Sequence, residues 1–224
     1  MSQLRTCILS QGSEILSGSI LNGNAHWLSE FFDNTQYTIV EHCTIGDSLD
    51  DLLRTFDRLC SQYDVIISSG GLGPTEDDLT TEVLSKLSNN PLTLHPDAME
   101  MLEKYYHTRN RVMPPPVRKQ AYIPETATLI SNPIGSAGGF HLTHNDTEIY
   151  VFPGVPAEMK AMVTQCFERT YPHPPLVFGT FGASESRIVH LLALVDLSVA
   201  NIRMEICGSR VVGLGLLVFP VTYV

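Results

Sequence analysis

Apolar positions in this chain recur with two periods, about 2 and about 3.6 residues, and the switches between them mark its elements. Thr6 to Leu9 predicts a first strand, leaving through a loop at Gln11-Gly12-Ser13-Glu14. Asn24 is placed to cap a helix running through Phe32, with Trp27, Leu28 and Phe31 on one face. Tyr37 to Cys43 reads as a second strand, and Thr44 to Ser48 as a loop. Leu49, Leu52, Leu53, Phe56, Leu59 and Cys60 then repeat at helical spacing. Val65 to Ser68 is a third strand, short, apolar and β-branched. Leu79 to Leu87 predicts a helix, with Thr75 and Asp78 at capping-box spacing ahead of it. Pro96-Asp97 opens another helix, carrying Met99, Leu102, Tyr105 and Tyr106, and Met113-Pro114-Pro115-Pro116 should follow it as a stiff extended loop.

Beyond it, Thr128 to Ile130 reads as a strand and Asn132-Pro133-Ile134-Gly135 as a turn. Phe140 to Leu142 and Glu148 to Phe152 flank Asn145-Asp146, the pattern of an antiparallel hairpin. Pro153-Gly154-Val155-Pro156 turns into a helix with Met159, Met162, Val163 and Phe167. Alternating strands and helices with one antiparallel addition predict an α/β fold with a doubly wound mixed sheet. The pattern changes after Tyr171-Pro172-His173-Pro174-Pro175, which reads as a linker. Strand-like Phe178 to Phe181, helix-like Ser184 to Val195 and strand-like Val211 to Val218 suggest a small α+β appendage over 172–224, after a main domain over 1–171.

Charge and cysteines narrow the function. The 224 residues carry a net charge of -10 with the histidines neutral, and the pI is near 5.1. That argues against non-specific binding to nucleic acid or an anionic membrane, but leaves room for a small anion held by glycines, helix ends and a metal. The five cysteines are scattered, with no CxxC, as expected of thiols in a reducing, cytoplasmic setting. No signal-peptide pattern follows Met1, and the apolar stretch Val211 to Val224 is too short to span a bilayer.

The chemistry concentrates in Ser68-Ser69-Gly70-Gly71-Leu72-Gly73-Pro74-Thr75-Glu76-Asp77-Asp78-Leu79-Thr80, between the third strand and its helix. Glycines there let backbone approach a ligand, and unpaired N–H groups at a helix start favour anions. Glu76, Asp77 and Asp78 would repel a bare phosphate, so a divalent cation between carboxylate and phosphate makes better sense of the cluster. Asp78 suits a cation ligand or a helix-start cap, and Asp47 a ligand or a turn residue. Glu76 and Asp77 read as solvated. Thr80 suits a phosphate contact or an ordinary first helical turn, Glu14 and Asn24 a ligand pocket, and Lys119 a phosphate contact or an exposed loop lysine. Glu158 suits a helix N-terminus. The histidines show no metal-ligand spacing; His141 and His144 straddle the hairpin turn and read as surface residues. No Walker loop or nucleophile elbow occurs.

Six segments, in order, resemble the N-terminal domain of the CinA family of competence/damage-inducible proteins, a domain related to the molybdopterin-binding fold. They are Gly12 to Gly18 with Asn22-Gly23-Asn24; Ile45-Gly46-Asp47; Gly70 to Thr80; Lys119-Gln120-Ala121 with Pro124; Asn132 to Ala137; and Phe152 to Met159. The likeness covers roughly 5 to 170, with a weak extension at Ser184-Glu185-Ser186. It departs at Asn22-Gly23-Asn24, where the family has an Asp-Thr-Asn type triplet, and at Ala137-Gly138-Gly139, where it has Ala-Pro-Gly. Full-length members carry an amidase-like domain acting on nicotinamide mononucleotide, for which this chain is too short, so that activity is not carried over.

The resemblance implies a three-layer, molybdopterin-binding-like sheet whose loops bring Asp47 near Asp78 at a switch point. It further implies a metal-dependent pyrophosphatase splitting ADP-ribose into AMP and ribose 5-phosphate. Asp78 and Asp47 would be catalytic and hold Mg²⁺, Mn²⁺ or Co²⁺; Gly70, Gly71, Gly73, Thr80, Glu14, Asn24 and Lys119 would bind substrate. Two alternatives stand beside it: a protein of molybdenum-cofactor biosynthesis that binds molybdopterin, and a non-catalytic nucleotide-binding regulatory module. Related folds self-associate, so a homodimer or homotrimer is expected.

Overall fold

The β-branched runs of the first half become the parallel strands of one sheet. The computed structural model describes residues 3–167 with their side chains, and the backbone of 168, 177–179, 200–207 and 210–218. Strands β1 (Leu4–Gln11), β2 (Tyr37–Ile45) and β3 (Val65–Ser69) alternate with helices α1 (Ser13–Leu16), α2 (Gly23–Phe32), α3 (Leu49–Cys60) and α4 (Thr80–Leu87). Then come β4 (Leu92–Leu94), α5 (Pro96–Thr108), a 3₁₀ helix (Pro115–Ala121), β5 (Tyr122–Pro124), β6 (Thr128–Ile130), β7 (Gly139–His144), β8 (Thr147–Phe152) and α6 (Pro156–Glu168).

The main sheet has the order β2-β1-β3-β8-β7-β6. Neighbouring strands from β2 to β8 are parallel, whereas β7 pairs antiparallel with both β8 and β6. The chain steps from β1 outward to β2 and then to the other side of β1 as β3, which leaves a crevice at the carboxyl ends of β1 and β3. The core is built by period-2 alternation. Cys7, Leu9, Ile66, Phe140, Leu142, Ile149 and Val151 pack with Leu52, Phe56 and Leu59 of α3 and Val83 and Leu84 of α4. Ile8, Val65 and Ile67, equally buried, point to the opposite face. Both faces are therefore covered at the centre, where β1 and β3 are buried over consecutive residues, whereas the edge strand β2 alternates exposed positions with buried or half-buried ones.

Several expectations are corrected. Asn22, not Asn24, caps α2: its Oδ1 accepts from the Ala25 N–H at 3.1 Å. The buried face of that helix is Asn24, Ala25, Leu28 and Phe32, with Trp27 and Phe31 half-buried. The exit loop of β1 contains one helical turn, α1. The proline run is extended only as far as Pro114, because prolines fit the first turn of a helix as well as they fit extended chain. Thr75 and Asp78 close a turn of their own; α4 begins at Thr80 behind Leu79, which makes no side-chain cap. The pair β4–β5 forms a separate two-stranded sheet that the pattern did not reveal. The hairpin is as expected, with Asn145 and Asp146 both at positive φ, 50° and 64°, as a two-residue turn requires.

The chain divides into two compact units, 1–166 and 167–224. In the second, β9 (Val177–Gly179), β10 (Ala200–Cys207) and β11 (Arg210–Val218) form an antiparallel sheet of order β10-β11-β9. The helix expected over 184–195, the linker over 171–175 and Ser184-Glu185-Ser186 lie outside the described residues. None of the described helices is long and apolar enough to cross a membrane.

Candidate functional site at the carboxyl end of the sheet

Four parallel strands end together, so the segments after β1, β2, β3 and β8 meet at one sheet edge. The register sets it: Gln11 pairs with Ile45, Ser10 with Ser69, and Ser69 with Phe152. The next residues are Gly12, Gly46-Asp47, Gly70-Gly71 and Pro153-Gly154.

The glycine loop leaves β3 with Gly70 at φ 115° and Gly71 at φ 70°. A Cβ on Gly70 would lie 2.5 Å from the Gln11 carbonyl oxygen, and one on Gly71 would collide with Thr80 Oγ1. Side chains are excluded at both positions by conformation and by space. The Gly70 N–H donates to the Phe152 carbonyl at 3.0 Å, and the Thr80 N–H to the Gly71 carbonyl at 3.3 Å. Among the described residues, the N–H groups of Gly71, Leu72 and Gly73 have no partner. Successive unpaired amides in a loop are the donor set from which anion-binding concavities are built.

Asp47 lies half-buried across the crevice. Its Oδ2 accepts from Ser13 N–H at 3.1 Å and Ser13 Oγ at 2.8 Å, and its Oδ1 accepts from Gln11 Nε2 at 3.3 Å. Asp78 is half-buried in the glycine loop; its Oδ2 accepts from Thr75 N–H at 2.9 Å and Thr75 Oγ1 at 2.5 Å. The helix-start reading of Asp78 thus becomes a closed turn ahead of the helix. Asp78 Oδ1 makes no hydrogen bond, and Asp47 keeps one of its four lone-pair positions. Neither carboxylate has a cationic side chain within ion-pair distance among the described residues.

The other sequence candidates divide. Thr80 is fully buried, its hydroxyl between Gln11 Oε1 and the Gly70 carbonyl, so it braces the loop from beneath. Asn24 is buried at the junction of β1, β3 and β8, its Nδ2 donating at 2.8 Å to both Ser69 Oγ and the Gly154 carbonyl. Its Oδ1 is buried without a partner. Glu14 is exposed at the mouth, its carboxylate folded over Gly12. Lys119 is exposed and donates through Nζ to the Thr75 carbonyl, on the Asp78 flank of the loop. Beside Asp78 and Lys119 opens a groove of about 560 Å³ floored by Leu79, Leu92 and Tyr122.

Residues that pattern reasoning passed over hold these loops in place. Gln11 joins Asp47 to Thr80. Gln120 Nε2 donates to the Leu72 carbonyl at 2.9 Å and its Oε1 accepts from Ser136 Oγ at 3.3 Å. Asn132 Oδ1 accepts from Ile134 N–H and Gly135 N–H, while its Nδ2 donates to Glu158 Oε2 at 2.7 Å. Glu158 therefore ties the Asn132 turn to α6, beyond the helix-start role read for it. The only signal for Gln120 and Asn132 was their membership of family segments; for Gln11 there was none.

Among the described residues, no three or more His, Cys, Asp or Glu are grouped to hold a metal. A Mg²⁺-type ion needs only one or two protein carboxylates when phosphate and water supply the rest, and the unbonded Oδ1 of Asp78 suits that mode; no contact joins Asp78 to Asp47, both of whose oxygens already accept hydrogen bonds.

Residues 7–173 match the family described as "Probable molybdopterin binding domain". A CinA-like protein of Escherichia coli O9:H4 (strain HS) is 40% identical over 202 residues, covering 87% of this chain and 50% of that protein. The same figures hold for the NMN amidohydrolase-like protein YfaY of Escherichia coli K12. The chain spans about half the length of the curated relatives it matches. The crystal structure of CinA from Thermoplasma acidophilum, described there as of unknown function, is 31% identical at a TM-score of 0.68, covering 75% of this chain and 98% of that one. The molybdopterin biosynthesis enzyme MoaB from Thermus thermophilus, at 15% identity and a TM-score of 0.51 over 76% of this chain and 92% of that one, shares the fold.

Proposed function

This chain belongs to the molybdopterin-binding-domain family, among its CinA-like members, and from that premise we propose that the crevice binds the phosphates of a nucleotide pyrophosphate and hydrolyses it, ADP-ribose giving AMP and ribose 5-phosphate. The observation that carries the reading is the run of three unpaired amides at Gly71, Leu72 and Gly73 beside the free oxygen of Asp78. Unpaired amides in such a loop would stabilise phosphate oxygens and the charge that builds on them during attack at phosphorus. Thr80 and Gln11 keep those amides in place from beneath. Asp78 and Asp47 would hold a divalent cation (Mg²⁺, Mn²⁺ or Co²⁺), which supplies charge neutralisation and a lowered water pKa when bound. Glu14 and Lys119 flank the mouth and would contact the polar parts of the substrate, and Asn24 sets the floor. The groove beside Asp78 and Lys119 is of a size for a nucleoside half.

A second reading is favoured by the family itself: the same amides would receive the single phosphate of a pterin such as molybdopterin, with or without chemistry. A regulatory nucleotide-binding module is the non-catalytic form of the first. One experiment separates them. Purified protein is incubated with ADP-ribose, with and without Mg²⁺, Mn²⁺ or Co²⁺, and AMP is measured by chromatography. AMP formation that needs the metal and is lost in Asp78→Ala supports the hydrolase. Binding of ADP-ribose without turnover under every metal favours the module, and molybdopterin binding with indifference to ADP-ribose favours the pterin. We also propose a homodimer or homotrimer, which sedimentation equilibrium would test.

A further inference from the structure

Gln11 is the last residue of β1 and only 4% exposed, yet its side chain is polar at both ends and both ends are used. Nε2 donates to Asp47 Oδ1 at 3.3 Å, in the loop after β2. Oε1 accepts from Thr80 Oγ1, at the start of the helix after β3. A Cβ on Gly71 would collide with that Oε1, so the glycine leaves the space through which the amide passes. One buried amide thus spans the switch point and links the two segments that carry the carboxylate and the unpaired N–H groups.

We propose that Gln11 is a positioning residue that sets the Asp47 loop in register with the glycine loop; its bearing on catalysis rests on the hydrolase reading above. An amide suits this task because it donates to a carboxylate at one end and accepts from a hydroxyl at the other, with no charge of its own. A hydrocarbon of the same length, as in Gln11→Met, fills the space and makes neither bond. Gln11→Glu keeps the acceptor for Thr80 and loses the donor for Asp47. Thr80→Val breaks the Thr80 end, together with the Thr80 contact to the Gly70 carbonyl, and leaves the Asp47 end.

Hydrogen exchange on the full chain reads the two ends separately. The Ser13 amide, bonded to Asp47, reports one end, and the Thr80 amide, bonded to the Gly71 carbonyl, reports the other. In Gln11→Met both exchange about three- to tenfold faster, as expected for the loss of one ordinary hydrogen bond at each, while Ile66 and Ile67 amides keep their protection. Gln11→Glu speeds Ser13 alone, and Thr80→Val speeds Thr80 more than Ser13. These complementary halves stand in for Gln11→Met should it fail to fold. Unchanged exchange at both reporters, or a uniform loss across the sheet, overturns the proposal.

Kinetics with ADP-ribose and Mn²⁺ give the second arm: Gln11→Met lowers kcat about tenfold or more with KM little changed, because the reacting groups are misaligned rather than the substrate lost. If the wild type makes no AMP while the exchange pattern holds, the hydrolase reading fails and the register role stands. If the wild type is active and Gln11→Met matches its kcat, the bearing of Gln11 on the reaction is overturned.

Discussion

Strand β2 and the loop that follows it carry two carboxylates in different circumstances. Midway along the strand, Glu41 receives both Arg58 Nη groups, at 2.8 and 3.2 Å, and the Tyr63 hydroxyl at 2.5 Å. Just past its end, Asp47 receives two donors from Ser13 and one from Gln11, all neutral. The bond from Arg58, and then that from Tyr63, holds the Glu41 carboxyl below its ordinary range. Glu41 in turn pushes Tyr63 up through the same hydrogen bond and Arg58 up through theirs. That flank is electrostatically closed. At the carboxyl end of the sheet the acids keep free lone pairs and the amides free protons, and among the described residues no side-chain cation lies within ion-pair distance of Asp47 or Asp78. On the flank the charge is paired within the fold; at the sheet's carboxyl end the lone pairs and amide protons stay open, and it is these that the proposed ligand would use.

The largest effect that would break this comparison is at Asp78. Asp78→Ala should reduce metal-dependent AMP formation by about two orders of magnitude. It should lower stability by no more than about 1 kcal/mol, since only bonds to Thr75 are lost at a solvent-facing turn. Chromatography of AMP and urea unfolding check the two halves, and a large loss of stability would move Asp78 to the structural side.

Next is Gly70→Ala. The new Cβ meets the Gln11 carbonyl at 2.5 Å on a backbone with φ 115°. A loss of about 1–3 kcal/mol in urea unfolding is expected, together with weaker ADP-ribose binding by calorimetry. Stability near that of the wild type would mean that the glycine loop is not held against β1.

Smallest is Arg58→Met on the closed flank. With the pair 42% and 28% exposed, solvent screening limits the loss to about 0.2–1 kcal/mol, and ligand binding should be unchanged. Glu41 is depressed in the folded state, so its stabilisation is full above the unfolded pKa of about 4.3 and is lost as pH falls through the lower folded value. The deficit of Arg58→Met is therefore expected at pH 7 and should shrink as Glu41 protonates in acid; thermal melts across pH read it. Thiols on this flank behave accordingly. Burial pushes Cys7 up to about 12 and Cys60 up to about 11, so neither should react with a thiol reagent at pH 8 before unfolding.

What could be read in advance followed element length. β3, α3 and the hairpin at Asn145-Asp146 gave several residues of one period or a turn chemistry with a steric cause. α1 has four residues and β4 and β5 three each, too few to establish a period, and β4 finds its partner across α5. Asn22 and Asn24 are both good caps, and only the chain path decides that one caps while the other reaches Ser69 and Gly154. The glycine loop and its acids were visible because glycine and carboxylate have few reasons to cluster. Gln11 was invisible because a lone glutamine after a strand carries no local pattern.

By itself the sequence determined the alternation that covers both sheet faces, the place of the glycine loop between strand and helix, and the acidity at its exit; these depend on neighbours in the chain. Tertiary structure alone decided which amides stay unpaired, which lone pairs of Asp47 and Asp78 stay open, and that one buried amide spans β1, the loop after β2 and α4. Hydrogen bonds between residues 36 and 69 positions apart depend on strand order and register, which no local run of residues encodes.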